Sequence, residues 1–127
     1  MSLFHAFYSS TSLATVPSAV PARFMVFLTN LFGVFDEFSD EFPNRFINAG
    51  VAEANMIGTA AGLAAWGMTP IVYTIIPFLV MRTFEQIRND ICMQKLPVTL
   101  VGVGGGLSYG TLGPTHHALE DISIMRT

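Results

Sequence analysis

The segment from Phe42 to Gly67 reads FPNRFINAGVAEANMIGTAAGLAAWG. Its pattern predicts a short strand at 45–48, a tight turn at Ala49–Gly50, and then a helix rich in alanine and glycine. Several residues of this helix are too small to fill a core alone, which favours close packing on another backbone: Gly58, Ala61, Gly62 and Ala65. We therefore expect the acidic residue at the start of the helix, Glu53, to lie in a junction of low dielectric.

Glu53 has two interpretations. A glutamate in the first turn of a helix is commonly found there because the helix dipole favours a negative charge, by roughly 0.3–1 kcal/mol. The alternative is a buried acid that exchanges a proton with a ligand. The residues of the helix alone leave both interpretations open.

The composition indicates a chain with a protein partner. The 127 residues are one domain on length alone, and 51% of them are hydrophobic whereas 12% are charged. The charged share is about half of the usual ~25%. We therefore expect apolar surface that is covered in an obligate oligomer or complex. The net charge is −3 and the six basic residues are scattered, so we expect no nucleic acid as partner.

The compartment is predicted from the cysteine count and the hydropathy. The single cysteine, Cys92, excludes an internal disulfide and fits a reducing compartment; its apolar surroundings predict a small core residue. The longest apolar run, at 70–81, contains Pro77 and is well short of the ~20 residues that span a membrane. The first 22 residues lack Asp, Glu, Lys and Arg, unlike a secretory or mitochondrial leader. We expect a cytoplasmic protein without a membrane partner.

The rest of the chain reads as alternating strands and helices. Further buried strands are predicted at 23–29, 69–75 and 98–103, an amphipathic helix at 78–93 and a last helix at about 115–126. The acidic segment 36–41 predicts a surface loop or a helical turn. This order predicts an α/β fold, a parallel sheet flanked by helices. We divide the chain into an irregular N-terminal arm, 1–22, and one α/β domain, 23–127.

A glycine-rich loop, 104–113, follows the last predicted strand. It contains neither the dinucleotide fingerprint nor a P-loop. Residues 106–110 match G-x-S-x-G, the nucleophile elbow of α/β-hydrolases, which requires a triad acid and histidine far downstream. Gly113-Pro114 interrupts the run and only 17 residues follow Gly110, so we reject this interpretation.

The sequence Gly113-Pro114-Thr115-His116-His117 ends the loop. Thr115 can cap a helix, and the two histidines would then lie in its first turn. A lone histidine in such a place is usually structural, whereas a pair could bind zinc. No Cys or His partner lies at ligand spacing, so we assign no metal ligand to this chain.

The segment from Pro43 to Gly67, together with this motif and Glu120-Asp121, resembles the pyrimidine-binding domain of the transketolase family of thiamine diphosphate enzymes. The loop 101–117 is most similar to the C-terminal subunit of transketolase-like proteins that are split into two chains. The resemblance implies the thiamine diphosphate-binding fold of the pyrimidine domain.

The resemblance also implies roles for five residues. Glu53 would bond the aminopyrimidine ring of the cofactor, and Phe78 would pack on that ring, although a phenylalanine after an apolar strand is usually a core residue. Ile75 stands where relatives often have a further aromatic residue. His116 would contact the reacting sugar or acyl group, with His117 as its neighbour in the substrate site.

Three features define what this chain would contribute. It has no Gly-Asp-Gly motif, so the resemblance implies that a partner subunit holds the diphosphate and Mg²⁺. The expected assembly is a homodimer or heterotetramer that transfers ketol or aldehyde groups. Leu112 replaces an acidic residue common in relatives, and Gly104–Gly106 replace their substrate residues. These departures favour the alternative of a non-catalytic structural or assembly subunit that keeps the fold.

Overall fold

The structure, a computed structural model, describes residues 5–6, 24–28 and 33–127. Its centre is a five-stranded sheet in which every neighbouring pair is parallel and the strand order is β1-β5-β4-β2-β3. The strands are β1 His5–Ala6, β2 Phe24–Leu28, β3 Phe46–Asn48, β4 Thr69–Ile75 and β5 Thr99–Val103. The predicted α/β fold with a parallel sheet is confirmed.

Helices lie in the connections from β2 to β3, β3 to β4 and β4 to β5, as is usual for crossovers between parallel strands, and a last helix follows β5. They are α2 Glu53–Ala65, α3 Ile76–Met81, α4 Phe84–Gln86 and α5 Asp121–Met125, with α1 Asp36–Glu41 between β2 and β3. A π-helical segment, Ile87–Cys92, continues α4, and short 3-10 turns lie at Pro43–Arg45 and Gly110–Leu112. The acidic segment predicted as a loop or helical turn is α1, with Phe38 as its buried residue.

The two faces of the sheet bury different cores. On one face, α2 and the π-helical segment pack over β4 through Met56, Ile57, Ala60, Val72 and Ile91, among others. A smaller cluster around Val26 and Phe38 covers the opposite face. Neighbouring residues of β2 belong to different clusters, since Met25 packs in the first and Val26 in the second. This alternation is the ordinary geometry of a strand covered on both faces.

The predicted helix at 78–93 is not continuous. α3 ends at Met81, and the chain turns at Arg82 and Thr83 before α4 begins. The Thr83 hydroxyl donates a hydrogen bond to the Leu79 carbonyl one turn earlier, a contact that often bends helices. Apolar residues recur in this segment at Val80, Phe84, Ile87 and Ile91; Val80, Ile87 and Ile91 are buried, and Phe84 is partly buried.

The prediction that Cys92 is a core residue was wrong, because Cys92 is exposed. Ile91, the residue before it, is 1% exposed and fills the core position. Since successive helical residues point in different directions around the axis, the residue after a core position turns away from the sheet. The apolar pattern of the segment includes both residues, but only Ile91 faces the core, and the thiol of Cys92 faces away from it.

The predicted helix at 115–126 is shorter than expected and begins at Asp121. Before it, Ala118 forms an antiparallel bridge with Gly106, with two backbone hydrogen bonds of 2.9 and 3.1 Å. This bridge holds the backbone extended, so a helix cannot pass through Ala118. Thr115 consequently caps no helix; its hydroxyl lies 3.0 Å from Nδ1 of His116.

The N-terminal arm predicted at 1–22 lies outside the described residues except for β1, which pairs with β5. The ends of the strand predicted at 23–29 also lie outside them. Within the described ranges, no helix combines the length and the apolar character needed to cross a lipid bilayer.

Candidate functional site

The candidate site lies where β3, β4 and β5 end. Parallel α/β sheets bind their ligands at this edge, because the connections that follow the strands converge there. Three elements meet at it: the start of α2, the length of α3, and the loop that follows β5. They contribute Glu53, Phe78, Arg82, Tyr109 and His116.

The turn between β3 and α2 delivers Glu53. Gly50 adopts a left-handed φ of +67°, which glycine tolerates without strain, and its amide donates to the Asn48 side chain at 3.0 Å. α2 then starts with Glu53, whose side chain is 1% exposed. Its carboxylate accepts a hydrogen bond from Arg82, with Nη1 to Oε2 at 2.9 Å. The expected burial of the acidic residue at the helix start is confirmed.

Arg82 links α3 to Glu53. It follows the last residue of α3, and its guanidinium carbon lies 4.4 Å from the centre of the Phe78 ring. Phe78 and Arg82 are four residues apart, the spacing that places side chains over one another along a helix. A guanidinium over an aromatic face is a favourable cation–π arrangement. Arg82 is 45% exposed, so the ion pair has one buried and one solvated end.

His116 packs between two aromatic rings. Its ring centre lies 5.1 Å from that of Phe78 and 5.9 Å from that of Tyr109, both with edge-to-face geometry. Nδ1 faces the Thr115 hydroxyl, which fixes one nitrogen of the imidazole in a hydrogen bond. The other nitrogen, Nε2, is therefore the atom of His116 available for a ligand.

Gly104 makes room for Tyr109. Gly104 has φ of +75°, and a Cβ at this position would collide with the Tyr109 ring. Burial raises the pKa of the Tyr109 phenol above its ordinary value. The Tyr73 phenol has its pKa raised by burial and, secondarily, by the charge that Tyr109 would carry. The two phenols thus lie close enough to interact electrostatically.

The remaining two predicted site residues have other surroundings. Ile75 is the last residue of β4, is 3% exposed, and pairs in register with Val103. His117 donates from Nε2 to the Gly110 carbonyl at 3.1 Å, which braces the loop. Neither of these two contacts involves the Phe78 ring. The roles of all five predicted site residues stay predictions. In the part of the chain that the structure describes, no group of three His, Cys, Asp or Glu side chains could hold a metal ion.

Sequence reasoning missed Arg82 and Tyr109. The spacing of four between Phe78 and Arg82 was a usable signal, because it stacks the two side chains if the helix continues that far. For Tyr109 the only signal was the glycine run at 104–106, since a missing side chain creates space for another one. Which side chain fills that space depends on how the loop folds back, and spacing does not reveal it.

The chain belongs to the transketolase family. Residues 24–127 match the family model described as the transketolase pyrimidine-binding domain. The chain is 44% identical over 89 residues to a subunit of the apulose-4-phosphate transketolase of Actinobacillus succinogenes, a match that covers 70% of this chain and 29% of that protein. It is 48% identical over 90 residues to 1-deoxy-D-xylulose-5-phosphate synthase of Oleidesulfovibrio alaskensis, covering 71% and 14%.

A solved structure shares the fold. It is that of a split-gene transketolase in the form of an inactive beta4 tetramer, and it matches with a TM-score of 0.69 and 36% identity, over 83% of this chain and 34% of that one. The chain thus spans about a third or less of the length of the relatives that it matches. The predicted resemblance to the pyrimidine-binding domain of split transketolases is confirmed.

Proposed function

We propose that this chain supplies the aminopyrimidine-binding half of a thiamine diphosphate site in a transketolase-like enzyme that transfers ketol or aldehyde groups. The observation that carries the proposal is the buried carboxylate of Glu53 at the carboxyl edge of the sheet. The Arg82 guanidinium contacts both this carboxylate and the ring of Phe78. His116 lies against the same ring. An acid, an aromatic face and an imidazole are thus assembled from three separate elements.

The side chains suit an aminopyrimidine ring. Such a ring is flat and carries nitrogen atoms at its edge, so it needs a carboxyl group at the edge and an apolar face to stack on. The Arg82 guanidinium, also flat and nitrogen-bearing, makes both kinds of contact, to Glu53 and to Phe78. An aminopyrimidine ring would contact the same two side chains differently: its amino group would donate to the carboxylate, or its ring nitrogen would accept from the protonated acid.

Each residue then has a defined task. Thiamine diphosphate, when bound, supplies the carbon nucleophile and the electron sink for making and breaking carbon–carbon bonds beside a carbonyl. Glu53 would hold or accept a proton at a nitrogen of the aminopyrimidine ring. Phe78 would pack on the ring, with Ile75 beneath it at the end of β4. His116 would use Nε2 to orient a substrate oxygen or to move a proton, and His117 would brace its loop.

The other half of the site belongs to a second subunit in this proposal. The chain contains no Gly-Asp-Gly sequence, so we assign the diphosphate and Mg²⁺ to a diphosphate-binding partner subunit. Support comes from the relatives, one of which is named as one subunit of a transketolase, and from the solved structure, which is a tetramer of a split-gene transketolase. We propose a homodimer or heterotetramer that works in the cytoplasm.

The test is cofactor binding by this chain mixed with a diphosphate-binding subunit of a split transketolase. Calorimetry with thiamine diphosphate and Mg²⁺ should give saturable binding, and Glu53→Gln should abolish it. Glu37→Gln, which changes an exposed glutamate of α1, is the matched control and should bind like the unchanged chain. Binding that ignores Glu53→Gln, or a mixture that takes up no cofactor, would favour the non-catalytic subunit.

A further inference from the structure

Arg82 makes two contacts that a cofactor ring would also need. Its Nη1 donates to Oε2 of Glu53 at 2.9 Å, and its guanidinium lies over the Phe78 ring at 4.4 Å. The Arg82 guanidinium therefore bonds the acid and covers the aromatic face at the same time. A carboxylate oxygen can accept a second hydrogen bond, but a flat ring cannot stack on the Phe78 face that the guanidinium already covers.

The burial of Glu53 points the same way. Its side chain is 1% exposed, so a ligand cannot reach the carboxylate in this conformation. Arg82, the group bonded to it, is 45% exposed. Of the two partners, Arg82 is the one that can turn into water, because its long side chain already reaches the surface.

The backbone around Arg82 favours such a movement. Arg82 lies after the end of α3 and before α4, in the turn that interrupts the expected continuous helix. A side chain at a helix end is less confined by neighbouring turns than one in the middle. Arg82 can therefore rotate outward while Leu79 and Val80, both fully buried, keep α3 on the core.

We propose that the Arg82 guanidinium is a resident occupant of the ring site: it pairs with Glu53 and covers Phe78 in the cofactor-free chain, and must turn outward before an aminopyrimidine ring can bind. This inference rests on the function proposed above. In the cofactor-free chain the guanidinium is one charged partner of the buried carboxylate. Cofactor entry then exchanges one partner of Glu53 for another.

The cofactor can bind only those molecules in which Arg82 has turned outward. Its apparent affinity is therefore the intrinsic affinity multiplied by the fraction of such molecules. The charge-assisted hydrogen bond between Arg82 and Glu53 keeps the ion pair formed in most molecules. Removing the guanidinium should therefore raise the affinity for the cofactor about ten- to a hundredfold. A residue that merely supported the site would give the opposite result.

The experiment uses the chain mixed with its diphosphate-binding subunit, and the probe is thiamine diphosphate with Mg²⁺. Affinity is measured by calorimetry for the unchanged chain, Arg82→Met and Arg82→Gln. Arg88→Met, at an exposed arginine of the π-helical segment, is the matched control. We expect tighter binding for both Arg82 variants and unchanged binding for the control. Equal or weaker binding in the Arg82 variants overturns the proposal.

A second measurement needs no variant of Arg82 and stays decisive if those variants fold poorly. The guanidinium N–H signals of Arg82, those of Nη1 above all, should report the ion pair in a proton–nitrogen correlation spectrum of the free chain and be altered by Glu53→Gln. On saturation with cofactor they should move to the positions typical of an arginine in water. Signals that stay in their paired positions while cofactor is bound refute the proposal and leave the proposed function intact. Cofactor binding that is absent, or insensitive to Glu53→Gln, removes the proposed function instead.

Discussion

The ion pair between Glu53 and Arg82 should be asymmetric: its loss should destabilise the fold far more when the arginine is removed than when the glutamate is neutralised. The perturbations are Arg82→Met, which keeps the length of the side chain without its charge, and Glu53→Gln, which keeps the size of the acid. The asymmetry follows from the exposed fractions of the two side chains, 45% for Arg82 and 1% for Glu53.

The expected losses of stability depend on whether the remaining side chain can reach water when its partner is removed. Without Arg82, the buried Glu53 side chain loses its charge-assisted hydrogen bond to the guanidinium, and breaking a fully buried pair costs about 3–5 kcal/mol. Exposed pairs contribute only about 0–1 kcal/mol. Because Arg82 is half-solvated, water can enter where it stood, and we expect a loss of about 1.5–3 kcal/mol. Without the charge on Glu53, the guanidinium turns into water, and the loss should stay below about 1 kcal/mol.

The assay is urea unfolding at neutral pH followed by circular dichroism, with thermal unfolding as a second probe. Arg82→Met should lower the melting temperature by on the order of 10 °C. The double variant should be no less stable than Arg82→Met alone, because the buried charge has been removed together with its partner. Arg88→Met should lie within about 0.5 kcal/mol of the unchanged chain. Equal losses for the two single variants, or a larger loss for Glu53→Gln, would refute the reasoning.

Further predictions concern the tyrosines and the loop after β5. Tyr109→Ala should shift and broaden the ring signals of His116 in nuclear magnetic resonance spectra, whereas Tyr109→Phe should preserve them, since the ring and not the hydroxyl packs on the imidazole. Gly104→Ala should destabilise the fold by about 1–3 kcal/mol in urea unfolding and displace the same signals, because of its φ of +75° and the collision with Tyr109. The pKa of the Tyr73 phenol is raised from 10.0, mainly by burial. The folded protein therefore holds the phenol proton more tightly than the unfolded chain does. This stabilisation is complete at a pH below the pKa of Tyr73 in the unfolded chain, and it is lost as pH rises through the pKa in the folded protein. Tyr73→Phe should flatten the fall in melting temperature above about pH 10, and an unchanged fall would contradict this assignment.

The strands were predictable because their signal is local. Residues 69–75 are apolar and β-branched on both faces, as a central parallel strand must be, and the structure places β4 there in the middle of the sheet. The start of α2 was equally local, since a glycine turn and a first-turn acid precede a run of small residues. These elements follow from patterns a few residues long.

The contacts that complete the site were not local. Glu53 and Arg82 are 29 residues apart, and Arg82 reaches the acid only because α3 ends where it does. Thr83, whose hydroxyl bonds the Leu79 carbonyl, takes part in that break, and helical periodicity does not predict it. The bridge between Gly106 and Ala118 shortened α5 in the same way, through a pairing that no pattern within 115–126 contains.

Two measurements should report one free energy. If Arg82 and the cofactor ring compete for Glu53, the free energy of breaking the Arg82–Glu53 ion pair enters both equilibria. It adds to the stability of the cofactor-free fold and is subtracted from the binding free energy of the cofactor. The stability lost in Arg82→Met, measured without cofactor, should then equal the affinity gained by that variant, at about 1.4 kcal/mol for each factor of ten. A loss of about 1.5–3 kcal/mol corresponds to the expected ten- to hundredfold gain. A large loss of stability without any gain in affinity would mean that Arg82 stabilises the fold but leaves the ring site open.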